Sequence, residues 1–566
     1  MLFTPTINFL TQTPTICLKS SDIYPRRSLI MEHNQSTSHS DETERLNKAD
    51  AAFQSGDGNQ NGPTPEVQGD ITNERDVGLV EKGQKPLETS TRDDSQQDPK
   101  LVTWNGPDDP ENPKNWPREK KWITMSLVSL FTFISPVSST MIAPALTHIS
   151  SDLHITAEFL SELTLSSFIL AYAFGPLFLG PLSENYGRVI VLQVGYLFYL
   201  AFNIGCGFAQ TTGQMIAFRF LSGIGGSVPL AIGGGVLGDT FRPEDRGTAS
   251  AVYSMAPLLG PALGPIFGGF IAEKTTWRWV FYATSIAIVV LQIAGLFVLR
   301  ETYPPHILKK RAKRIREETG DASYQTAEER QNKTLAQGLR TSLTRPFRLL
   351  FTQPIIQVLA LYMAYVYGLQ YLMLSTFPTL WTDPEYYGES IGIGGLNYIS
   401  LGLGALLGSL VAARLNDRTY ASLKARNNGV GRPEFRLPLL AITSICCPIG
   451  LFIYGWTAQT HQPWIAPNIG ACIFGVANMM SFQCMQTYTV DTYTKFAASA
   501  MASVSVLRSI CAFAFPLFAP YLYDTLHYGW GNSLLAFISI AIGFPAPIIL
   551  WIFGERLRRA SPYAAG

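Results

Sequence analysis

The chain is poor in charge. Only 15% of its 566 residues are Asp, Glu, Lys or Arg, against about 25% in an average soluble domain. The 43 basic residues face 42 acidic ones, a net charge of +1, so the cationic footprint of a nucleic-acid binder is missing. Seven cysteines are too few for a disulfide-built secreted scaffold. No Cys/His cluster has metal-site spacing, so no metal is expected. No G-x-x-x-x-G-K-[ST] phosphate loop occurs, and the glycine-rich stretch 223–238 lies inside an apolar run, which argues against an ATP-driven pump. A catalytic acid–base set and a cofactor motif are also missing, so the chain does not read as an enzyme. The first thirty residues lack a signal-peptide layout: Pro5, Asn8, Gln12 and Pro14 interrupt any apolar core, and Arg26 and Arg27 come late.

What is present divides in two. Residues 31–100 are rich in Ser, Thr, Asp, Glu, Gln, Asn and Gly. Their sparse apolar residues cannot offset the entropy of ordering the chain, which predicts a disordered tail. Asn34-Gln35-Ser36 fits a glycosylation acceptor, but a cytosolic tail never meets that chemistry. The remainder is apolar. A bilayer core of about 30 Å takes roughly 20 apolar residues per helix. Runs of that length lie near 122–145, 163–183, 189–210, 220–238, 247–272, 279–299, 352–380, 391–413, 438–457, 465–490, 496–523 and 531–553. Arg508 is the one charge well inside them; Arg219 lies just before the fourth and Glu162 opens the second. Unpaired backbone groups are costly in hydrocarbon, so the runs should be helices.

The expected fold is therefore an all-α membrane protein with twelve transmembrane helices in two pseudo-symmetric six-helix bundles. The division is a cytosolic tail over 1–120, bundles over 121–300 and 351–556, a basic linker over 301–350 and a short cytosolic end over 557–566. The loop 300–351 carries twelve Lys or Arg and the loop 414–437 six, whereas 146–158, 211–214, 381–389, 458–464 and 524–530 carry none. Only Lys274 and Arg278 break the alternation. Positive loops stay inside, which predicts that both termini and the linker are cytosolic.

Several motifs then become specific. Gly180-Pro181-Leu182-Ser183-Glu184-Asn185-Tyr186-Gly187-Arg188 reads as a tight loop between the second and third runs, with an acid and an arginine placed for helix ends. Ala412 to Arg418 is a weak echo of it after the eighth run. This stretch resembles the loop 2–3 signature of the major facilitator superfamily, in the form of its fungal drug:proton antiporter branch with twelve spans. Arg219-Phe220-Leu221-Ser222-Gly223-Ile224-Gly225 is similar to the family's R-x-x-x-G-x-G signature, which the resemblance links to proton transfer. Gly260, Gly264 and Gly268 are spaced four apart and line one helix face that can pack closely on a neighbour. With Pro265 and Gly269 they resemble the G-x-x-x-G-P-x-x-G-G antiporter signature. Asp108 to Trp116 and Trp277-Arg278-Trp279 resemble two further segments of the fungal members. The resemblance covers about 104 to 556.

It implies proton-driven efflux of small amphipathic organic compounds (drugs, toxins or fungal secondary metabolites) by alternating access around a midplane site. A polyamine exporter and a nutrient uptake symporter are the alternatives. Arg219 and Glu162 are the expected proton-coupling residues, Arg219 by biasing a nearby acid. Gly180, Glu184, Gly187, Arg188 and Asp239 form the expected conformational lock, with Arg188 pairing with Asp239 and Glu184 facing Phe496. Ser138, Ser139, Tyr365, Tyr367, Tyr371, Asn397, Asn478 and Gln483 offer a neutral, aromatic cavity suited to amphipathic or mildly cationic molecules. The expected partners are a small-molecule substrate, protons and the lipid bilayer, with no nucleic acid. The protein is expected as a monomer in the plasma membrane.

Overall fold

The structure, a computed structural model, describes residues 100–242, 245–330 and 335–564. The disordered tail expected over 31–100 therefore lies outside the described residues, Lys100 excepted. Among the described residues the chain is helical, with one isolated bridge between Leu101 and Gln325. The first half supplies α1 (Arg118–Thr140), α2 (Glu158–Tyr186), α3 (Arg188–Gly207), α4 (Thr212–Gly226 and Val228–Thr240, broken at Ser227), α5 (Arg246–Lys274) and α6 (Arg278–Val298). The second half supplies α7 (Pro354–Thr382), α8 (Tyr398–Arg426, preceded by the short Ile391–Leu396), α9 (Leu437–Gln459) and α10 (Ile465–Thr492).

By length and hydropathy eleven helical stretches can cross a membrane, and the last runs from Thr494 to Arg559 over 66 residues. A straight helix of that length would measure about 100 Å, three times the hydrocarbon core. It is not straight. His527 has φ 53° and ψ 179°, outside helical space. Across it the Tyr523 hydroxyl donates to Asn532 Oδ1 at 3.2 Å, and the Tyr523 and Tyr528 rings stack at 4.5 Å. Residues nine apart in one helix would be about 13 Å apart, so the chain reverses here. The stretch supplies two crossings: α11 over 497–526, and α12 over 528–543 continued by Pro545–Arg559. Twelve crossings result, and an even number returns both ends of the described chain to one side.

The helices outrun their apolar cores by one or two turns, because water-exposed ends need no apolar residues. The expected loop over 180–188 is a correction: α2 runs to Tyr186 and α3 begins at Arg188. The joint is Gly187 alone, at φ 98°, a conformation that favours glycine. Large apolar side chains such as Phe297, Leu296, Val194 and Ile552 stay exposed on the outer faces, as lipid contact requires. Tyr196, Tyr199, Phe168, Tyr398 and Tyr454 fill the interior.

The segment before α1 is folded against the linker. Asp109 is buried and accepts from the amides of Asn105 (2.8 Å) and Glu111 (2.9 Å). It also accepts from Arg311 at 2.7 Å, on the linker helix Pro304–Thr319. Burial pushes the Asp109 carboxyl up, but Arg311 and the two amides outweigh it and hold it below the ordinary carboxylate range. Asn115, in the same segment, accepts from Arg242 at 2.9 Å.

Candidate translocation site

The Lys/Arg-rich end is held by two matching ionic clamps. In the first half Arg188 opens α3, and its Nε donates to Asp239 at the end of α4 at 3.3 Å. The Arg188 Nη1 donates to Ser183 at 2.7 Å, and the guanidinium lies over Tyr303 at 4.7 Å. In the second half Arg436, just before α9, donates to Asp491 at the end of α10 at 3.1 Å and to Asp417 in α8 at 2.8 Å. The same positions of the two halves carry the same charges, as expected of a repeat. Glu301, beyond α6, completes the first clamp. Its carboxylate accepts from the amides of Arg188 (2.9 Å), Val189 (3.2 Å), Thr302 (3.0 Å) and Tyr303 (2.9 Å). A carboxylate on the first amides of α3 satisfies groups that no helix turn can reach. A side chain at Gly187 would strike this carboxylate at 2.4 Å. Glu184 is exposed, and nothing lies within 4 Å of where a Gly180 side chain would start. Phe496, the expected neighbour of Glu184, packs on Tyr563 at 5.5 Å and beneath Arg345 at 5.2 Å.

The glycine face of α5 lies on α1. A methyl at Gly260 would meet Pro136 Cβ at 2.6 Å, one at Gly264 the Val137 carbonyl at 2.6 Å, and one at Gly268 the Met141 carbonyl at 2.0 Å. The backbones approach as closely as a glycine stripe permits. Gly269 points elsewhere, toward the Ile391 carbonyl ahead of α8 at 2.8 Å. Nearby, Glu273 accepts from Gly392 N (2.7 Å) and Ser390 Oγ (3.0 Å). α5 thus packs within its own half and also joins the halves at the end opposite the basic loops. Pro265, like Pro257 and Pro261, lies inside the α5 helix.

Arg219 is fully buried. Its donors go to four backbone carbonyls: Thr164 (3.3 Å), Leu165 (3.5 Å), Ser138 (3.2 Å) and Ser139 (3.1 Å). Phe168 covers it at 4.6 Å. The expectation that Arg219 biases a nearby acid is corrected here, because carbonyls and rings, not a carboxylate, surround it. It ties α1, α2 and α4 together. Glu162 sits on α2 beside Thr164 and Leu165 in sequence but points away from Arg219. It is buried, faces Ser375 of α7 and Tyr398 of α8, and its Oε2 has no hydrogen-bond partner.

The expected cavity residues separate into two groups. Ser138 and Ser139 on α1 stand beside Arg219, and Tyr367 and Tyr371 on α7 pair at 5.3 Å. Tyr371 is next to Ser139 and Tyr172, and Tyr172 bonds Ser135. These meet at the junction of the halves. The others are occupied inside the second half. Tyr365 bonds the Leu535 carbonyl of α12. Asn397 donates to Glu389 at 2.7 Å and accepts from Asn468 at 2.6 Å. Gln483 donates to Ser409 at 2.7 Å. Asn478 donates to the Val366 carbonyl at 3.3 Å.

With this geometry in place, comparison with known proteins is decisive. The sequence profile of the Major Facilitator Superfamily matches residues 128–516. The chain belongs to that family. As a superfamily member it is a multi-pass membrane transporter of small molecules, not an enzyme. It is 54% identical to the efflux pump vrtL of Penicillium aethiopicum over 87% of this chain and 97% of that one. It is 44% identical to the efflux pump radE of Floropilus chiversii, over 82% and 86%. Among solved structures, the E. coli xylose transporter XylE in a partially occluded inward-open conformation matches with a TM-score of 0.56. That match has 16% identity and covers 76% of this chain and 99% of XylE, which supports the fold.

Two parts of this superfamily member's site were not read from sequence. Glu301 has no motif around it, and the two of its four partners that tie it to α3, Arg188 and Val189, lie 113 and 112 residues away. Arg508 stands out in sequence as a charge within an apolar run, but its neighbours do not. In the structure it lies over Tyr367 at 4.6 Å and Phe482 at 5.5 Å.

Proposed function

We propose that this protein exports small amphipathic organic compounds from the cytosol in exchange for protons moving inward. The observation that carries the reading is the glycine face of α5 seated on α1, the feature that resembles the antiporter signature. Two relatives named as efflux pumps support the same direction. The bundles 121–300 and 351–556 rock about the junction of Tyr172, Tyr367 and Tyr371, and the linker 301–350 stays in the cytosol. The Lys/Arg asymmetry supports cytosolic termini, and the plasma membrane is the proposed location.

Glu162 is the proposed proton carrier. Three acids are buried among the described residues: Asp109, Glu162 and Glu434. Arg311 holds Asp109 at 2.7 Å and Arg558 holds Glu434 at 2.9 Å. Glu162 has no arginine or lysine and keeps a spare oxygen. An ionisable group so placed in a membrane helix marks a proton route. Arg219 supports the same step by holding α2, which carries Glu162, against α1 and α4. Inside-out plasma-membrane vesicles test the reading. Toxic compounds should accumulate when a pH gradient is imposed and stop when an uncoupler is added. Accumulation driven by ATP and indifferent to the uncoupler would overturn it.

A further inference from the structure

Arg508 bears on the charge of the substrate. It lies eleven residues into α11, about 17 Å from that helix's start and so near mid-membrane. A guanidinium at that depth is costly unless something answers its charge. Arg219 is answered by four carbonyls. Among the described residues Arg508 has only the faces of Tyr367 and Phe482, and its Nε is buried without a hydrogen-bond partner. Tyr367 in turn packs on Tyr371 and lies beside Tyr172 of the other half. The charge therefore sits at one edge of an aromatic seam that crosses the junction on which the proposed rocking depends.

We propose that Arg508 is the anion-recognition group of the substrate site, and that the exported compounds are aromatic acids, planar molecules bearing a carboxylate or an ionised phenol. The proposal rests on the export reading above. A guanidinium fork matches a carboxylate with two parallel hydrogen bonds, while Tyr367, Tyr371 and Phe482 offer faces for the ring. A cation in the seam would meet Arg508 directly, whereas Glu162, one of the three acids buried among the described residues, is turned toward Ser375 and Tyr398. This replaces the mildly cationic substrate suggested by composition.

Two dyes on one xanthene scaffold test it: anionic 2′,7′-dichlorofluorescein and cationic rhodamine 6G. Binding to purified full-length protein is read by fluorescence anisotropy, and movement is read in vesicles under a pH gradient. Wild type should bind the anion in preference to the cation. Arg508→Gln should weaken the anion about tenfold or more, the loss of a charge-assisted hydrogen-bonding partner. Arg508→Lys, which keeps the charge and loses the fork, should fall between the two and guards against a mere folding defect. The proposal is overturned if the cation binds more tightly, if neither dye binds, or if Arg508→Gln holds the anion within about twofold of wild type. It is also overturned if both variants lose the anion equally. Arg508-dependent anion binding without gradient-driven movement would remove the export reading and leave the site. Gradient-driven export of the cation alone would do the reverse.

Discussion

Replacing Gly264 by alanine adds one methyl to the most closely packed helix pair of the first half. That methyl would lie 2.4 Å from Thr140 Oγ1 and 2.6 Å from the Val137 carbonyl, where ordinary contact begins at 3.4 Å. Thr140 can rotate aside, but the Val137 carbonyl belongs to the α1 backbone. The helices must therefore part by about 0.8 Å, and a gap of that size forfeits a quarter to a half of each dispersion contact along the stripe. Overpacking of this kind costs about 1–3 kcal/mol, with no hydrophobic force in lipid to offset it. Gly268→Ala should be worse, because its methyl would lie 2.0 Å from the Met141 carbonyl. Gly180→Ala is the control: its methyl meets nothing within 4 Å, and alanine favours the helix by about 0.5–1 kcal/mol. The assay is the apparent melting temperature of purified variants together with initial export rates at matched expression. Gly180→Ala should transport like wild type and melt at or slightly above it, Gly264→Ala should melt lower and transport about tenfold more slowly, and Gly268→Ala should be worse on both counts. A Gly264→Ala protein that melts and transports like wild type would show that α5 does not rest on α1.

Arg219→Ala should abolish export while the protein still reaches the membrane, and Arg219→Lys should restore little, because an ammonium cannot reach carbonyls on both α1 and α2 as the fork does; normal resistance to toxic compounds in Arg219→Ala would contradict this. Glu301→Gln should lower the melting temperature, since an amide replaces a carboxylate on four backbone amides, a loss of about 1–2 kcal/mol; an unchanged melt would show the clamp holds without that charge. Asp109→Asn should free the segment before α1, seen as faster proteolysis near 105–115. Because the folded Asp109 carboxyl lies below its ordinary value of 3.8, its contribution is complete above that pH and lost as the pH falls through the folded value. Protection should thus be flat from neutral pH to about pH 4 and then fall in wild type only; protection of Asp109→Asn equal to wild type at pH 7 would contradict the assignment.

The crossings were legible because hydrocarbon imposes about 20 apolar residues on each, and the α5 stripe because helical period puts every fourth glycine on one face. Arg188 and Asp239 could be paired from the lock signature, whereas Arg436 and Asp491 could not, the second-half echo having drawn attention to Asp417 and Arg418 instead. Which of the expected cavity residues stand together was only partly legible. Tyr365 has the same side chain as Tyr367 and Tyr371 on the same helix, and only their positions around α7 decide which face the junction. Glu162 and Arg219 are paired in the proton-coupling expectation, yet Arg219 bonds backbone carbonyls of α1 and α2 while Glu162 faces Ser375 and Tyr398. Pairings between distant helices have no local signal, and this is why Glu301 and the setting of Arg508 emerged only in three dimensions.

Purified protein in liposomes loaded with a pH-sensitive dye tests the exchange of protons for substrate most directly. On imposing an inward proton gradient, substrate should move outward as protons enter, and both movements should collapse in Glu162→Gln while binding persists. Substrate and protons moving in the same direction, or coupling that survives in Glu162→Gln, would contradict the account.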